Sequence, residues 1–323
     1  MSNAKPVVVV TRDVPGDPVA IDGADVVTGP LDAPTRTETL ERIRGASVVI
    51  TMFTDAVDTE FLDAAGDQLR GICNFAVGYN NIDLDACKER GVVVANTPDA
   101  VTEGTANMAI GLLLAVARRI VEGDRFARSG EWVKRAPLAM GEMLGLGLAG
   151  RTIHIVGAGR IGYATALRAR AFGMDVIYTS RRRKLAFEGA PLCGRWVKLD
   201  EGLREADVAS VHTPLTDETR HLLNADRLAM LKPDAIVINT SRGPVIDEAA
   251  LVEVLRGKKI WGAGLDVFED EPTVHPGLVE LDNLVMMPHV GSGEIRWRNE
   301  MTRMCEASAR AILAGEEPEH RVV

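Results

Sequence analysis

The stretch Thr152-Ile153-His154-Ile155-Val156-Gly157-Ala158-Gly159-Arg160-Ile161-Gly162 decides the fold. Its first five residues read as a short buried strand. Three glycines follow at the spacing G-x-G-x-x-G, and the chain beyond them reads as a helix to about Phe172. A glycine loop between a strand and a helix is the context this motif requires. Gly157 permits the tight turn, Gly159 lets the backbone approach a pyrophosphate, and Gly162 lets helix and strand pack closely. The helix start offers its N–H groups to the anion, so Arg160 and Ile161 join the candidate dinucleotide contacts. The bland alternative, a glycine-rich turn with no ligand, has the strand–loop–helix context against it.

The same alternation of apolar runs and helical patterns extends both ways. Downstream, residues 175–179, 208–212, 235–239, 261–265 and 284–287 read as strands. With Thr152–Val156 they make six, which suits a dinucleotide-binding sheet. Upstream, residues 7–10, 48–51, 71–75 and 92–95 form a second series, with helices over 35–44 and 58–65. Strands alternating with helices predict an α/β protein whose parallel sheets are covered on both faces. Residues 103–121 read as one long helix, apolar nearly all round, expected to be buried between domains or subunits. In the last helix, 293–313, Trp297, Met301, Met304, Ser308 and Ile312 recur at three- and four-residue steps and mark a core-facing stripe. That helix is expected to return the chain to the first domain.

A chain of 323 residues suggests two domains, and 46% hydrophobic against 26% charged residues is an ordinary globular balance. The net charge of −9 disfavours a nucleic-acid partner. Cys73, Cys87, Cys193 and Cys305 form neither a metal pattern nor a disulfide framework, as expected of thiols in a reducing cytoplasm. Ser2-Asn3-Ala4 is set aside from the fold reading. Only a four-valine run follows Lys5 and Pro6, and the longest apolar run, 108–117, is too short for a bilayer, which needs ~20 residues. A cytoplasmic protein without a membrane partner is expected.

The end of the strand after the glycine loop should choose the cofactor. NAD binders place an acid there for the ribose hydroxyl. Here the chain reads Thr179-Ser180-Arg181-Arg182-Arg183-Lys184. A carboxylate would repel a 2′-phosphate, whereas a hydroxyl and guanidinium groups bind one. NADP(H) is therefore favoured, with NAD(H) as the second option. Ser180, Arg181 and Arg182 are the candidate contacts, Arg183 and Lys184 being assigned to solvent. Three more polar segments follow strands: Asn239-Thr240-Ser241-Arg242-Gly243, Leu265-Asp266-Val267-Phe268-Glu269-Asp270-Glu271-Pro272, and Pro288-His289-Val290-Gly291-Ser292. Strand ends of an open parallel sheet are where ligands bind, so all three point to the edge that carries the glycine loop.

From about residue 45 to the end, the sequence resembles the D-2-hydroxyacid dehydrogenase family, and within it the glyoxylate/hydroxypyruvate reductases. The resemblance rests on Asn74-Phe75-Ala76-Val77-Gly78-Tyr79-Asn80-Asn81-Ile82-Asp83, on Ala95-Asn96-Thr97-Pro98, on the glycine loop and on the three segments above, in the family's order. It implies a discontinuous flavodoxin-like substrate domain, residues 1–100 and 290–323, around an inserted Rossmann nucleotide-binding domain, residues 101–289. It also implies a homodimer and an active site in a cleft that takes a small 2-keto acid.

The roles it implies are specific. Arg242 would hold the substrate carboxylate and polarise the keto oxygen, His289 would be the general acid, and Glu271 would hydrogen-bond His289 and favour its charged form. Backbone N–H groups of Val77 and Gly78 would bind the substrate carboxylate. Met52, in the loop 51–55, and Ser292 would face the substrate. Thr105 and Thr219 would lie near the cofactor phosphates, with His212, Thr213 and Pro214 around the adenosine. Thr240, Asp266, His289 and Gly291 complete the cofactor set, Asp266 meeting the nicotinamide amide.

The segment 132–145 departs from those reductases. A tryptophan–proline pair is common there, but this chain reads Ala136-Pro137-Leu138-Ala139-Met140, so Leu138 or Met140 would line the pocket. Loop 51–55 has no cation to hold a phosphate, which weakens a phosphoglycerate reading. Glu271 stands where formate enzymes use glutamine. Phosphite oxidation and a nucleotide-sensing corepressor or binding protein remain the alternatives.

Overall fold

The computed structural model describes residues 5–135 and 137–323. Ser2-Asn3-Ala4 and Ala136 lie outside the described residues. The chain divides into two compact units, one formed by residues up to Val101 together with Ser292–Val323, the other by Thr102–Gly291.

The first unit holds five parallel strands, β1 (Val7–Val10), β2 (Asp25–Thr28), β3 (Val48–Met52), β4 (Gly71–Phe75) and β5 (Val93–Ala95), in the order β2-β1-β3-β4-β5. This is the flavodoxin-like order. Every residue of β3 and β4 is buried, because helices cover both faces of a parallel sheet. The sequence reading lacks β2. Its four residues, Asp25-Val26-Val27-Thr28, lie at the sheet edge and are mostly exposed, so they carry no apolar run.

The Ile295–Ala314 helix packs on β4 and β3. Its buried residues are Met301, Thr302, Cys305, Ser308, Ala309 and Ile312. Trp297 and Met304, assigned to the stripe by their spacing, are only half-buried. Small side chains line this face because the helix lies close to the sheet, and a Cβ at Gly71 would meet Ile312 Cδ1 at 2.6 Å. The tail then adds antiparallel bonds to β5, Val94 N–H to Val323 O at 3.0 Å and Val322 N–H to Val94 O at 2.7 Å.

The second unit is a seven-stranded parallel sheet. Its strands are β6 (Thr152–Val156), β7 (Asp175–Thr179), β8 (Arg195–Trp196), β9 (Val208–Val211), β10 (Ile236–Asn239), β11 (Gly262–Leu265) and β12 (Leu284–Met286), ordered β12-β11-β10-β9-β6-β7-β8. Six strands were expected. The seventh, β8, is a two-residue edge strand too short to leave a pattern. The strand order reverses at β6, the position where nucleotide folds bind.

The long helix expected over 103–121 is two helices, Thr102–Ala117 and Ile120–Arg128. Arg119 breaks them with φ 54°, although no glycine or proline marks the spot. The first packs on its own unit's sheet and on the Arg160–Ala171 helix. Glycines let it approach: a Cβ at Gly264 would stand 2.8 Å from Leu112 Cβ, and one at Gly262 would stand 2.9 Å from Val116 Cγ1. The second helix has no buried residue. No single described helix is long and apolar enough to cross a membrane, and these two reach that length only together, across a 62° bend.

His154 lies in the middle of β6 with its ring sealed under Gly202, where a Cβ would come within 2.4 Å of His154 Cε1. Its Nε2 pairs with Thr179 Oγ1 at 2.8 Å. Burial pushes its pKa down to about 4. The unfolded chain, with an ordinary histidine near 6.5, takes up the proton first as the pH falls. Stability from neutral His154 is therefore complete above about pH 6.5 and is lost towards pH 4, by about 3 kcal/mol. His212, pushed to about 3 by burial, adds a loss over a wider range. In urea unfolding between pH 6.5 and 4, His154→Gln should show a shallower loss than the parent. Equal slopes would refute the assignment.

Candidate active site

β6 ends where Gly157 turns the chain with φ 106°, and a Cβ there would meet His212 C and O at 2.7 Å. Only glycine allows the exits of β6 and β9 to touch. A Cβ at Gly162 would stand 2.3 Å from Gly157 O, so the helix start presses onto the turn. Gly159 is different. It is the N-cap of the Arg160–Ala171 helix, offers no side-chain cap, and has nothing within 4 Å of its Cβ position. The space beside the start of this helix is therefore open. Nearby strand exits supply buried polar atoms with no protein partner: Thr213 Oγ1 and His212 Nδ1 after β9, and Thr240 Oγ1 after β10. Such a cradle fits an anionic dinucleotide.

The loop after β7 separates its four cations. Arg183 is gripped by Glu188 at 2.8 and 2.7 Å, and Tyr178 Oη donates to the same carboxylate at 2.7 Å. The Arg181 and Arg182 side chains are exposed and have no partner among the described residues. Ser180 Oγ donates to Arg182 O at 2.6 Å, and Trp196 Nε1 of β8 donates to Ser180 O at 3.2 Å, so the edge strand fixes this turn.

β10 delivers Arg242. Buried Asn239 shapes the turn: its Oδ1 accepts from Ser241 N–H at 3.0 Å, and its Nδ2 donates to Arg242 O at 3.0 Å. The guanidinium donates from Nη1 to Ser241 O at 2.6 Å. Burial lowers its pKa and the charge of Glu271 opposes that shift. β11 delivers Glu271, whose Oε1 accepts from Phe268 N–H at 2.9 Å and whose Oε2 lies 2.6 Å from His289 Nδ1. Burial pushes the Glu271 pKa up. The hydrogen bond and charge of His289, the Phe268 amide and Arg242 outweigh it and hold Glu271 below the usual carboxylate range. An ionised Glu271 only accepts, so Nδ1 carries the proton and the ring orientation is set.

His289 follows β12 in a left-handed conformation, φ 52°. Asp266 holds this turn from three sides. Its carbonyl accepts from His289 N–H at 2.8 Å, and its Oδ1 and Oδ2 accept from Val290 and Gly291 N–H at 2.9 and 2.7 Å. Asp266, the residue expected to meet a ligand amide, is 1% exposed, and both its oxygens also accept from the backbone beside His289. Burial pushes its pKa up, against those two amides. Arg242, Gly243, Phe268, Glu269, Glu271 and His289 line one cavity of about 470 Å³. A guanidinium and a carboxylate-held imidazole in one cavity can grip a carboxylate and move a proton.

The remaining expected residues vary. Thr105 is buried on the Thr102–Ala117 helix, and a Cβ at Gly291 would stand 3.5 Å from its Cγ2. Thr219 Oγ1 donates to Pro214 O and accepts from Thr216 N–H, both at 2.7 Å, so it stabilises its own turn rather than presenting a free hydroxyl. Pro214 is exposed. In the first unit, Met52 ends β3, and Val77 and Gly78 follow β4 with Asn96 Nδ2 on Val77 O and Asn74 Nδ2 on Gly78 O, both 2.8 Å. Ser292 belongs to this unit as well. Leu138 and Met140 follow the Glu131–Arg135 helix, and Met140 is 95% exposed. The framing roles of Asn74, Asn96, Asn239 and Asp266 escaped the sequence reading, which had only their place beside glycines and strand ends as a signal. Among the described residues no His/Cys/Asp/Glu cluster could hold a metal.

Residues 110–291 match the family model described as D-isomer specific 2-hydroxyacid dehydrogenase, NAD binding domain. The chain is 47% identical over 283 residues to a glyoxylate reductase of Thermococcus onnurineus, covering 86% of this chain and 83% of that one. A crystal structure of a Thermus thermophilus protein matches with a TM-score of 0.91 and 43% identity, over 98% of this chain and 100% of that one. An NADPH-dependent glyoxylate/hydroxypyruvate reductase of Sinorhizobium meliloti, solved with NADP and malonate, matches with a TM-score of 0.84 and 32% identity, over 99% of this chain and 97% of that one.

Proposed function

Because the chain belongs to the D-isomer specific 2-hydroxyacid dehydrogenase family, we propose that it reduces a small unphosphorylated 2-keto acid, with glyoxylate and hydroxypyruvate as leading candidates, to the 2-hydroxy acid at the expense of NADPH. The observation that carries this reading is the Glu271–His289 contact of 2.6 Å in the cavity that also holds Arg242.

The residues divide the work. The Arg242 guanidinium grips the substrate carboxylate and polarises the keto oxygen. Glu271 holds His289 by Nδ1, which leaves Nε2 as the nitrogen that protonates the keto oxygen. Burial of Arg242 strengthens its pull on the charge that develops there. The cofactor is held by the 157–162 loop, Thr213 and Thr240, with Ser180, Arg181 and Arg182 at the ribose phosphate. Bound there, a reduced nicotinamide supplies the hydride that reaches the carbonyl carbon. Support for NADPH comes from Ser180 in place of an acid and from two exposed arginines with no partner among the described residues.

We also propose a homodimer. Between residues 120 and 144, Ile120, Trp132, Val133, Met140 and Leu144 are all exposed, Val133 at 89%. So many large apolar groups in one stretch fit a self-association surface.

NADPH oxidation should be seen with glyoxylate and hydroxypyruvate. An absence of turnover with these, pyruvate and phenylpyruvate would put a nucleotide-binding protein in place of the reductase. His289→Gln should lose roughly 10²- to 10⁴-fold in kcat while still binding NADPH, and Arg242→Ala should raise KM and lower kcat together. Parent kcat/KM should be higher with NADPH than with NADH, and an Arg181→Ala/Arg182→Ala double variant should lose that advantage. An unchanged ratio would exclude these arginines from cofactor choice. Sedimentation should give twice the 34.8 kDa chain mass, and Val133→Glu with Met140→Glu should give the single-chain mass. A parent that sediments as a monomer removes the dimer.

A further inference from the structure

The reaction proposed above leaves two carboxylates beside the cavity without a role. Glu248 opens the Glu248–Arg256 helix and is 5% exposed. Glu269 lies two residues before Glu271 on the loop after β11. The Glu248 N–H donates to Glu269 Oε1 at 2.8 Å, and the Glu269 N–H donates to Glu248 Oε1 at 2.7 Å. Each carboxylate thus accepts the other residue's amide, and the two segments close into a ring. His221 Nε2 lies 3.2 Å from the same Glu269 oxygen.

Helix formation does not require this ring, because Asp247 already caps the helix by accepting from Ala250 N–H at 2.9 Å. Two like charges are brought together and one is withdrawn from water, which opposes stability unless hydrogen bonds compensate. Burial pushes the Glu248 pKa up. The Glu269 amide pulls it down, the charges of Glu269 and Asp270 push it up, and His275 pulls it down. A local rule broken beside an active site is the usual mark of a functional constraint.

The ring fastens the loop that carries Glu271 to the segment that begins at Arg242. The same segment touches the loop at a second point, since a Cβ at Gly243 would stand 1.9 Å from Phe268 C. Inside the loop, the Phe268 amide holds one Glu271 oxygen and His289 meets the other. We propose that Glu248 and Glu269 are positioning residues whose reciprocal clasp sets the placement of Glu271 relative to Arg242 and, through it, the orientation of the His289 ring. The consequence for turnover rests on the catalytic reading above; the consequence for the His289–Glu271 hydrogen bond does not.

Glu248→Ala removes the acceptor for the Glu269 amide, whereas Glu248→Gln keeps an oxygen there and removes the charge. The first readout is the low-field Nδ1–H proton resonance of His289 in protein without substrate, assigned by its loss in His289→Gln. The second is kcat against the KM for NADPH. Glu248→Ala should weaken that resonance and lower kcat roughly 10- to 100-fold with little change in the NADPH KM. Glu248→Gln should restore both to within about threefold of the parent. A folded Glu248→Ala that keeps the resonance and kcat overturns the clasp, and so does a Gln variant as impaired as the Ala variant. If circular dichroism shows Glu248→Ala unfolded, Glu269→Ala and Glu269→Gln make the same comparison from the other half of the ring. A Glu271→Gln variant with parental kcat would remove the catalytic reading instead, and the resonance would still decide the clasp.

Discussion

Every strand of the second unit runs parallel, and that constraint brings the exits of β6, β9, β10, β11 and β12 to one edge. The glycine loop, His212-Thr213, Thr240–Arg242, Asp266–Glu271 and His289–Gly291 are those exits. Neighbouring exits lie within contact of each other, and glycine stands where they meet. Gly157 faces the carbonyl of His212, Gly243 faces the Phe268–Glu269 peptide, and Gly291 faces Asp266 Oδ2. A side chain at any of these points would push two site loops apart.

Charge is the second organising element. Asp266 is buried and Arg242 and the Glu271 carboxylate are partly withdrawn from water, which is unfavourable for isolated ions. The two carboxylates are stabilised by main-chain amides rather than by cations alone: Val290 and Gly291 for Asp266, Phe268 for Glu271. Amides fixed by the fold need no reorganisation when charge moves during a reaction, and they orient the groups they hold. The left-handed His289 is kept in its conformation by the hydrogen bonds that Asp266 makes around it.

Much of this was legible before any coordinates. Buried parallel strands are apolar on both faces, so β1, β3, β6 and β7 announce themselves by their valines and isoleucines. Arg242, Glu271 and His289 lie in polar segments after strands, and the resemblance to the family supplied their roles. The edge strands were not: β2 is mostly exposed, and β8 has two residues. The break at Arg119 carries no glycine or proline, since a left-handed arginine makes it. On the last helix, a stripe read from one set of three- and four-residue steps missed Thr302, Cys305 and Ala309, because close packing on the sheet buries small side chains across a wider face.

The sequence by itself determined the class of fold, the glycine loop and the identities of the polar residues at strand ends, because strand burial and tight turns act over a few residues and leave a local pattern. Only the tertiary structure decided which partners those residues take. It separated Arg183, bound to Glu188, from Arg181 and Arg182. It gave Asp266 to the backbone beside His289, and it joined Glu248 to Glu269 across 21 positions of chain. Hydrogen bonds between groups far apart in sequence depend on how strands line up in the sheet, and no local pattern records that alignment.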